Sequence, residues 1–405
     1  MNTADSRTHW DLDPEIVFLN HGSFGACPRV VLDAQQEWRA RMERNPVQFF
    51  QRDLEPALDV ARAALAPVIG APAHEIAFVP NATTGVNAVL ASFPFEAGDE
   101  LLITNHGYNA CNNAARQFAE ARGAKVVVAQ LPFPAPSEDA LLEGLRAAVS
   151  ERTRLALVDH ITSETALRLP VERFAAWLAE RAEDTGRTVE LLVDGAHAPG
   201  QLPLSLAESG ATFVTGNAHK WLCAPKGAAY LWVRPDWHER IRPRVVSHYA
   251  NSSRRDRSGF LESFDWTGTH DPTNVLAIPA SIEFLSSLYP GGLDEHMRRN
   301  HELALAMRDV LCEALQIEAP APDELLGCMA ALPLPPDPKP EPSGALQLNG
   351  LQERLSEHAR VEVPVMGWPT SPARMIRVSA QAYNTLDDAR TLADALTTLL
   401  AEERA

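Results

Sequence analysis

The sequence has no stretch approaching the roughly 18–20 consecutive apolar residues that a membrane-spanning helix needs. Its opening, MNTADSRTHWDLDPE, lacks an apolar run behind a basic end, so no secretory signal is expected. Basic side chains are outnumbered: 36 Lys and Arg face 53 Asp and Glu, a formal net charge of −17. That deficit argues against nucleic acid or an anionic membrane as a partner, because no broad surface draws in phosphates. Cysteine is sparse too. Cys27, Cys111, Cys223, Cys312 and Cys328 are odd in number, widely spaced and form no CxxC. A disulfide framework and a zinc site on these cysteines are not expected. Free thiols, read as small buried hydrophobes in a reducing cytoplasmic setting, are. No internal repeat is present.

Of the 405 residues, 45% are hydrophobic and 22% charged, which excludes a disordered chain, a coiled coil and a collagen. The length suggests two domains. From Ile76 to Val233, short apolar runs alternate with amphipathic stretches. The runs IAFV (76–79), ELLIT (100–104), KVVVA (125–129), LALVD (155–159), VELLVD (189–194), ATFVT (211–215) and AAYLWV (228–233) read as strands. Stretches 110–122 and 171–186 read as helices between them. Near-continuous apolar strands of this kind belong to a mostly parallel sheet with helices on both faces. An early helix is expected over 30–44. Beyond Val275 the pattern becomes α+β, with helices over 277–288, 296–315, 348–359 and 386–405 and strands over 328–334, 361–365 and 375–380. PPDPKPEPSG (335–344) reads as an irregular loop. The expected division is an N-terminal arm (1–20), a large α/β domain (21–275) and a small C-terminal α+β domain (276–405).

In parallel α/β sheets, ligands bind beyond the carboxyl ends of the strands. Four expected strand ends carry chemistry: Asn81-Ala82-Thr83-Thr84-Gly85-Val86-Asn87, Asn105-His106-Gly107-Tyr108, Asp194-Gly195-Ala196-His197, and Thr215-Gly216-Asn217-Ala218-His219-Lys220. Singly each has a bland reading, such as a helix cap for Asp194, Thr83 and Thr84, a solvated Lys220 or a core Tyr108. Together they meet the demands of pyridoxal phosphate, which needs an amine, a carboxylate, a phosphate cradle and a flat ring. Lys220 supplies the amine, with a pKa open to lowering by desolvation. Asp194 is the carboxylate for the pyridine nitrogen, and His197 is spaced to donate to the ring oxygen. The start of the helix after Asn81, with Thr83 and Thr84, suits a phosphate; Asn217 and His219 can add donors.

The chain resembles fold-type I, class V aminotransferase-like enzymes, in the branch that includes isopenicillin N epimerase. The resemblance rests on FLNHGSFGACP (18–28), NPVQFFQRDL (45–54), NATTGVN (81–87), NHGYNA (105–110), DHITSETALRLP (159–170), VDGAHAPGQLPL (193–204), TGNAHKWLCAPKGAAYLWV (215–233), DWTGTHDPT (265–273) and RMIRVSAQAYNT (374–385). It implies that Lys220 holds the cofactor covalently, Asp194 pairs with its pyridine nitrogen, His197 meets its phenolic oxygen and Tyr108 stacks on its ring. It places Thr83, Thr84, Asn217 and His219 at the phosphate. Thr269 would reach the phosphate from the other subunit of a homodimer with shared sites. Arg377 would clamp the substrate α-carboxylate, with Asn20 and His21 on the substrate side.

Cysteine desulfurases of this class carry a nucleophilic cysteine before the carboxylate-binding arginine. VEVPVMGWPTSPARMIR (361–377) has none, so persulfide formation is not expected. Three functions stay open. The first is an epimerase or racemase acting at Cα of an amino acid, for which His21, His248 and Tyr249 are candidates for a second base by residue type alone. The second is a carbon–sulfur β-lyase, which needs no second base. The third is a non-catalytic protein of this fold. The substrate is expected to be an amino-acid-like small molecule.

Overall fold

A computed structural model describes residues 6–340 and 347–404. The beginning of the expected arm and positions 341–344 of the proline-rich loop lie outside the described residues; 335–340 is irregular, as proline requires.

The first strand, β1 (Val17–Phe18), stands apart from the main sheet. That sheet contains β2 (Ile76–Val79), β3 (Glu100–Thr104), β4 (Lys125–Ala129), β5 (Thr153–Asp159), β6 (Glu190–Gly195), β7 (Phe213–Asn217) and β8 (Ala229–Val233). Its order is β2-β8-β7-β6-β5-β3-β4. Only β8 runs against its neighbours β2 and β7; the other pairings are parallel. All seven strands match the apolar runs of the sequence to within two residues at each end.

Alternate residues of each strand feed two separate cores. Leu101 and Ile103 of β3, with Leu155 and Leu157 of β5, join a cluster beneath the helices Ala82–Ser92 and Asn109–Glu120. Leu102, Ala156 and Val158 face the opposite core, built with Leu54–Ile69, Glu138–Ala147 and Val171–Thr185. Burial on both faces is why these strands read as unbroken apolar runs. Two of these helices escaped the sequence reading. Leu54–Ile69 contains Pro56 and Pro67, which mask its periodicity; Pro67 lies inside the helix and removes one amide donor from it. Glu138–Ala147 is announced only by its cap, the Ser137 Oγ accepting from the Ala140 amide at 3.2 Å.

The C-terminal part adds β9 (Met329–Leu334), β10 (Val361–Glu362), β11 (Val365–Gly367) and β12 (Arg374–Ser379). β12 lies between β11 and β9, antiparallel to both. The helices Gly292–Leu315 and Leu386–Arg404 pack together beside this sheet. The single strand expected over 361–365 is two strands, parted at Pro364, which has no amide to donate to a ladder. β1 pairs in parallel with β10, so the chain's beginning is tied to its end, and His21 and Gly22 come to lie against β12 and its neighbours.

Candidate active site

The carboxyl ends of the parallel strands bring the chemistry together. In register, Asp159 of β5 stands beside Asp194 of β6, and Asp194 beside Thr215 of β7. Asn217 closes β7 and accepts the Ala82 amide through Oδ1 at 2.8 Å, which locks the helix Ala82–Ser92 onto the strand end. Asn81 caps that helix, accepting from the Thr84 amide (2.8 Å) and hydroxyl (3.0 Å). Thr83 lies in the first turn, where no intrahelical carbonyl reaches its amide. Gly85 lets the helix approach β7: a Cβ there would stand 2.3 Å from the Thr215 hydroxyl.

Lys220 follows β7 by three residues, and its Nζ lies 2.9 Å from His197 Nε2. Burial, reinforced by the charge of Arg377 and opposed by Asp194, lowers the amine to about 8. On the other side of the His197 ring, the Trp221 indole donates to Nδ1 at 3.4 Å. An indole only donates, so Nδ1 accepts and the proton sits on Nε2. Burial, with Lys220 and Arg377 nearby, holds His197 well below the usual histidine range, so this ring is neutral. A neutral Lys220 amine can accept from it.

Asp194 is buried. Its Oδ1 accepts the Ala196 amide at 3.0 Å and its Oδ2 the Cys111 thiol at 3.1 Å. Burial pushes its carboxyl up; these two donors and Lys220 pull the other way. Asp159 is pushed well up by burial and then by the neighbouring Asp194, against a bond from the Tyr108 backbone. Tyr108 itself begins the helix Asn109–Glu120 and is 41% exposed, a ring at the mouth of the site.

Arg377, on β12, is 1% exposed. One terminal nitrogen donates to the Ser163 carbonyl, the other to Ser23 Oγ at 2.8 Å. Its Nε is buried and has no partner among the described residues. The charge of Arg377 is felt at Lys220, His197, Tyr108 and Glu164, so all four lie within electrostatic reach of one guanidinium. Glu164 is pushed up by burial, against the pull of Arg377 and Lys220. Gly22 leaves room beside Arg377, since a Cβ there would meet Nη2 at 3.2 Å and the Met329 sulfur at 2.6 Å. Asn20 Oδ1 is also buried without a partner among the described residues.

Some expected residues do other work. His21 is fully buried; its Nδ1 meets the Tyr383 hydroxyl (2.7 Å) and its Nε2 the Lys220 carbonyl (3.0 Å). Both nitrogens are engaged, its Nε2 bracing the Lys220 backbone, and burial lowers its pKa to about 3. His219 spends Nδ1 on the Ala228 carbonyl at 2.8 Å, leaving Nε2 free. Thr269 is exposed and makes no hydrogen bond to the Lys220 group; it lines a cavity of about 470 Å³ that also includes Pro80 and Thr84. His248 and Tyr249 line a different cavity, with Phe50, Arg254 and Trp266. Sequence reasoning missed Cys111, Asp159, Ser23, Ser163 and Glu164. Asp159 could have been found, because LALVD ends in an acid at a strand end, as VELLVD does.

Comparison with known proteins agrees with this architecture. The chain is 36% identical over 407 residues to isopenicillin N epimerase of Amycolatopsis lactamdurans, covering 97% of each protein. It is 32% identical over 420 residues to a putative L-cysteine desulfhydrase of Oryza sativa subsp. japonica, covering 95% of this chain and 83% of that one. Among solved structures, the cystine C–S lyase C-DES, in complex with cysteine persulfide, superposes with a TM-score of 0.77 at 19% identity, covering 95% of this chain and 98% of that one. The cysteine desulfurase CsdA from Escherichia coli gives 0.76 at 19% identity, covering 99% of each. The fold is that of the fold-type I pyridoxal-phosphate enzymes. The family profile for aminotransferase class-V matches residues 16–392; the chain belongs to that family and is a pyridoxal-phosphate-dependent enzyme.

Proposed function

We propose that this enzyme moves a proton at Cα of an amino acid bound through its carboxylate, as an epimerase of the isopenicillin N epimerase kind. The observation that carries the proposal is a Lys220 amine lowered to about 8, within electrostatic reach both of an Asp194 carboxylate that accepts two hydrogen bonds and of an Arg377 whose Nε has no partner among the described residues.

The residues present fit the cofactor. Lys220 would hold it covalently, Asp194 would face its ring nitrogen, the Nε2 proton of His197 would face its phenolic oxygen, and Tyr108 would cover its ring. Thr83, Thr84 and Asn217 would take the phosphate at the helix start, where amide groups and dipole both favour an anion. His219, lowered to about 4 chiefly by burial, would join them once the phosphate's own charge draws a proton onto Nε2. When bound, the cofactor supplies an electron sink for the bond broken at Cα. Arg377 would bind the substrate carboxylate through Nε and its terminal nitrogens, fixing which bond at Cα faces Lys220. Lys220 Nζ then takes the α-proton as general base.

Inversion needs a second proton carrier. With His21 engaged on both nitrogens, Glu164 and Tyr108 are candidate acid–base groups that feel the charge of Arg377, and both are pushed up by burial. A second reading, a carbon–sulfur β-lyase, is supported by the desulfhydrase relatives at comparable identity and by the single base it requires. The proposal includes a homodimer, with Thr269 reaching the site of a second copy. Support comes from Phe24, Val30, Val47, Val245 and Val246, large apolar residues left exposed. The division at residues 20 and 275 belongs to the same proposal.

The test is incubation of the pure holoenzyme with a panel of amino acids in D2O, read by product NMR. Cα deuteration with appearance of the opposite configuration supports the epimerase. Pyruvate and ammonia would establish the lyase instead, and absence of Cα exchange across the panel would overturn both.

A further inference from the structure

Five buried cysteines read as packing, yet Cys111 touches the one carboxylate that the proposed chemistry depends on. Its Sγ lies 3.1 Å from Asp194 Oδ2, short for a bond involving sulfur. Cys111 sits in the first turn of the helix Asn109–Glu120, three residues after Tyr108. Both it and Asp194 are almost wholly buried, so no water competes for the contact. The other carboxylate oxygen is taken by the Ala196 amide at 3.0 Å. Across the strand pair stands a second acid, Asp159, in register and equally buried.

That surrounding is hostile to a charged carboxylate. Desolvation favours its protonated form, and only donated hydrogen bonds and opposite charge favour the ionised one. A protonated Asp194 could not keep a pyridine nitrogen protonated. Within the protein, two hydrogen-bond donors support the ionised form, and one of them is the thiol. The Thr83 side chain, in the first turn of the helix Ala82–Ser92, also lies near the Cys111 sulfur.

Building on the functional reading above, we propose that Cys111 is a positioning residue that holds Asp194 ionised and oriented toward the cofactor's ring nitrogen. A thiol suits this place because it donates without adding charge and is small and apolar enough for a dry core.

The experiment compares Cys111→Ala, which removes the donor, with Cys111→Ser, which restores one. Each apoenzyme is reconstituted with pyridoxal phosphate, and two quantities are read: the dissociation constant of the cofactor, and the nitrogen-15 resonance of cofactor labelled at the ring nitrogen. Losing one hydrogen bond to a charged group should weaken cofactor binding about tenfold in Cys111→Ala. Its nitrogen resonance should move toward the unprotonated position, while Cys111→Ser stays within about threefold of wild type and keeps the wild-type resonance. Thermal melts of the apo forms report any packing loss separately. If Cys111→Ala does not fold, Cys111→Val, closer in volume and without a donor, takes its place with the same readouts. An unmoved nitrogen resonance in the donor-less variant, or equal behaviour of the Ser and donor-less variants, would overturn the role of Cys111 alone. A wild-type enzyme that takes up no cofactor on Lys220 would instead overturn the functional reading and this inference with it.

Discussion

Arg377→Lys keeps the positive charge of the clamp and removes its fork. In the wild type, the guanidinium is oriented before any substrate arrives: one terminal nitrogen is held by the Ser163 carbonyl and the other by Ser23 Oγ at 2.8 Å. The buried Nε and the remaining terminal hydrogens are left for a carboxylate. A lysine can bring one point charge to this place and cannot satisfy Ser163, Ser23 and the substrate in the same geometry. The variant therefore loses about one charge-assisted hydrogen bond to the substrate, worth ~1.5–3 kcal/mol. At ~1.4 kcal/mol per decade, kcat/KM for an amino acid should fall roughly 10- to 150-fold. The informative assay is a ratio: Cα deuteration of an amino acid against that of its decarboxylated amine, in wild type and variant. The ratio should fall by the same factor, because the amine never used the clamp. Cofactor absorbance and affinity should stay at wild-type values, since Arg377 makes no hydrogen bond to Lys220, Asp194 or His197. An unchanged ratio would refute the clamp. Loss of cofactor with an unchanged ratio would assign Arg377 to the cofactor instead.

The Lys220 amine, lowered to about 8 chiefly by burial, must be neutral to attack the cofactor's aldehyde. Uptake by the apoenzyme should accelerate as pH rises and level off above about 8; a midpoint near the ordinary lysine value of 10.5 would show that the amine is solvated. Glu164→Gln and Tyr108→Phe separate exchange from inversion. In the variant that removes the second proton carrier, Cα deuteration persists while the opposite configuration accumulates at least ~100-fold more slowly, the usual scale of a lost general acid or base; inversion intact in both variants would leave the epimerase without its second carrier. Away from the site, Arg62 is 1% exposed and donates to the Ile76 carbonyl, Asp59 and Asp265. Asp265→Ala leaves that buried charge short of a partner and should cost ~3 kcal/mol in chemical denaturation, the low end for a broken buried pair because Asp59 remains; a loss below ~1 kcal/mol would mean that water or Asp59 compensates in full. Sedimentation of the holoenzyme should give a dimer, and a monomer with full activity would remove Thr269 from the shared site.

Local sequence determined the elements and the ligand-bearing rim. Runs such as ELLIT and LALVD read neither as amphipathic helices nor as half-exposed strands, so their alternation with helices already pointed to a sheet covered on both sides, and a parallel sheet puts its ligand groups at the carboxyl ends of strands. That is why Asp194, Asn217 and Lys220, each bland alone, were legible together as one rim, and why the family resemblance could suggest jobs for them. What sequence could not reach were relations across the sheet and between distant segments. His21 looked like a free base by residue type; only the pairing of β1 with β10, 344 residues apart between Val17 and Val361, carries it under the Lys220 loop, where both ring nitrogens are engaged. Pro56 and Pro67 hid a helix that tertiary packing supplies. Cys111 read as a small hydrophobe, because a thiol's partner is set by which strand lies over its helix and not by its neighbours in sequence. Asp159 and Asp194 are 35 residues apart in the chain and adjacent in register, so the push of Asp194 on the Asp159 carboxyl exists only in the folded sheet. Backbone periodicity is encoded within a few residues and survives in the sequence; the partner of a buried polar group is chosen by topology, and the tertiary structure alone decides it.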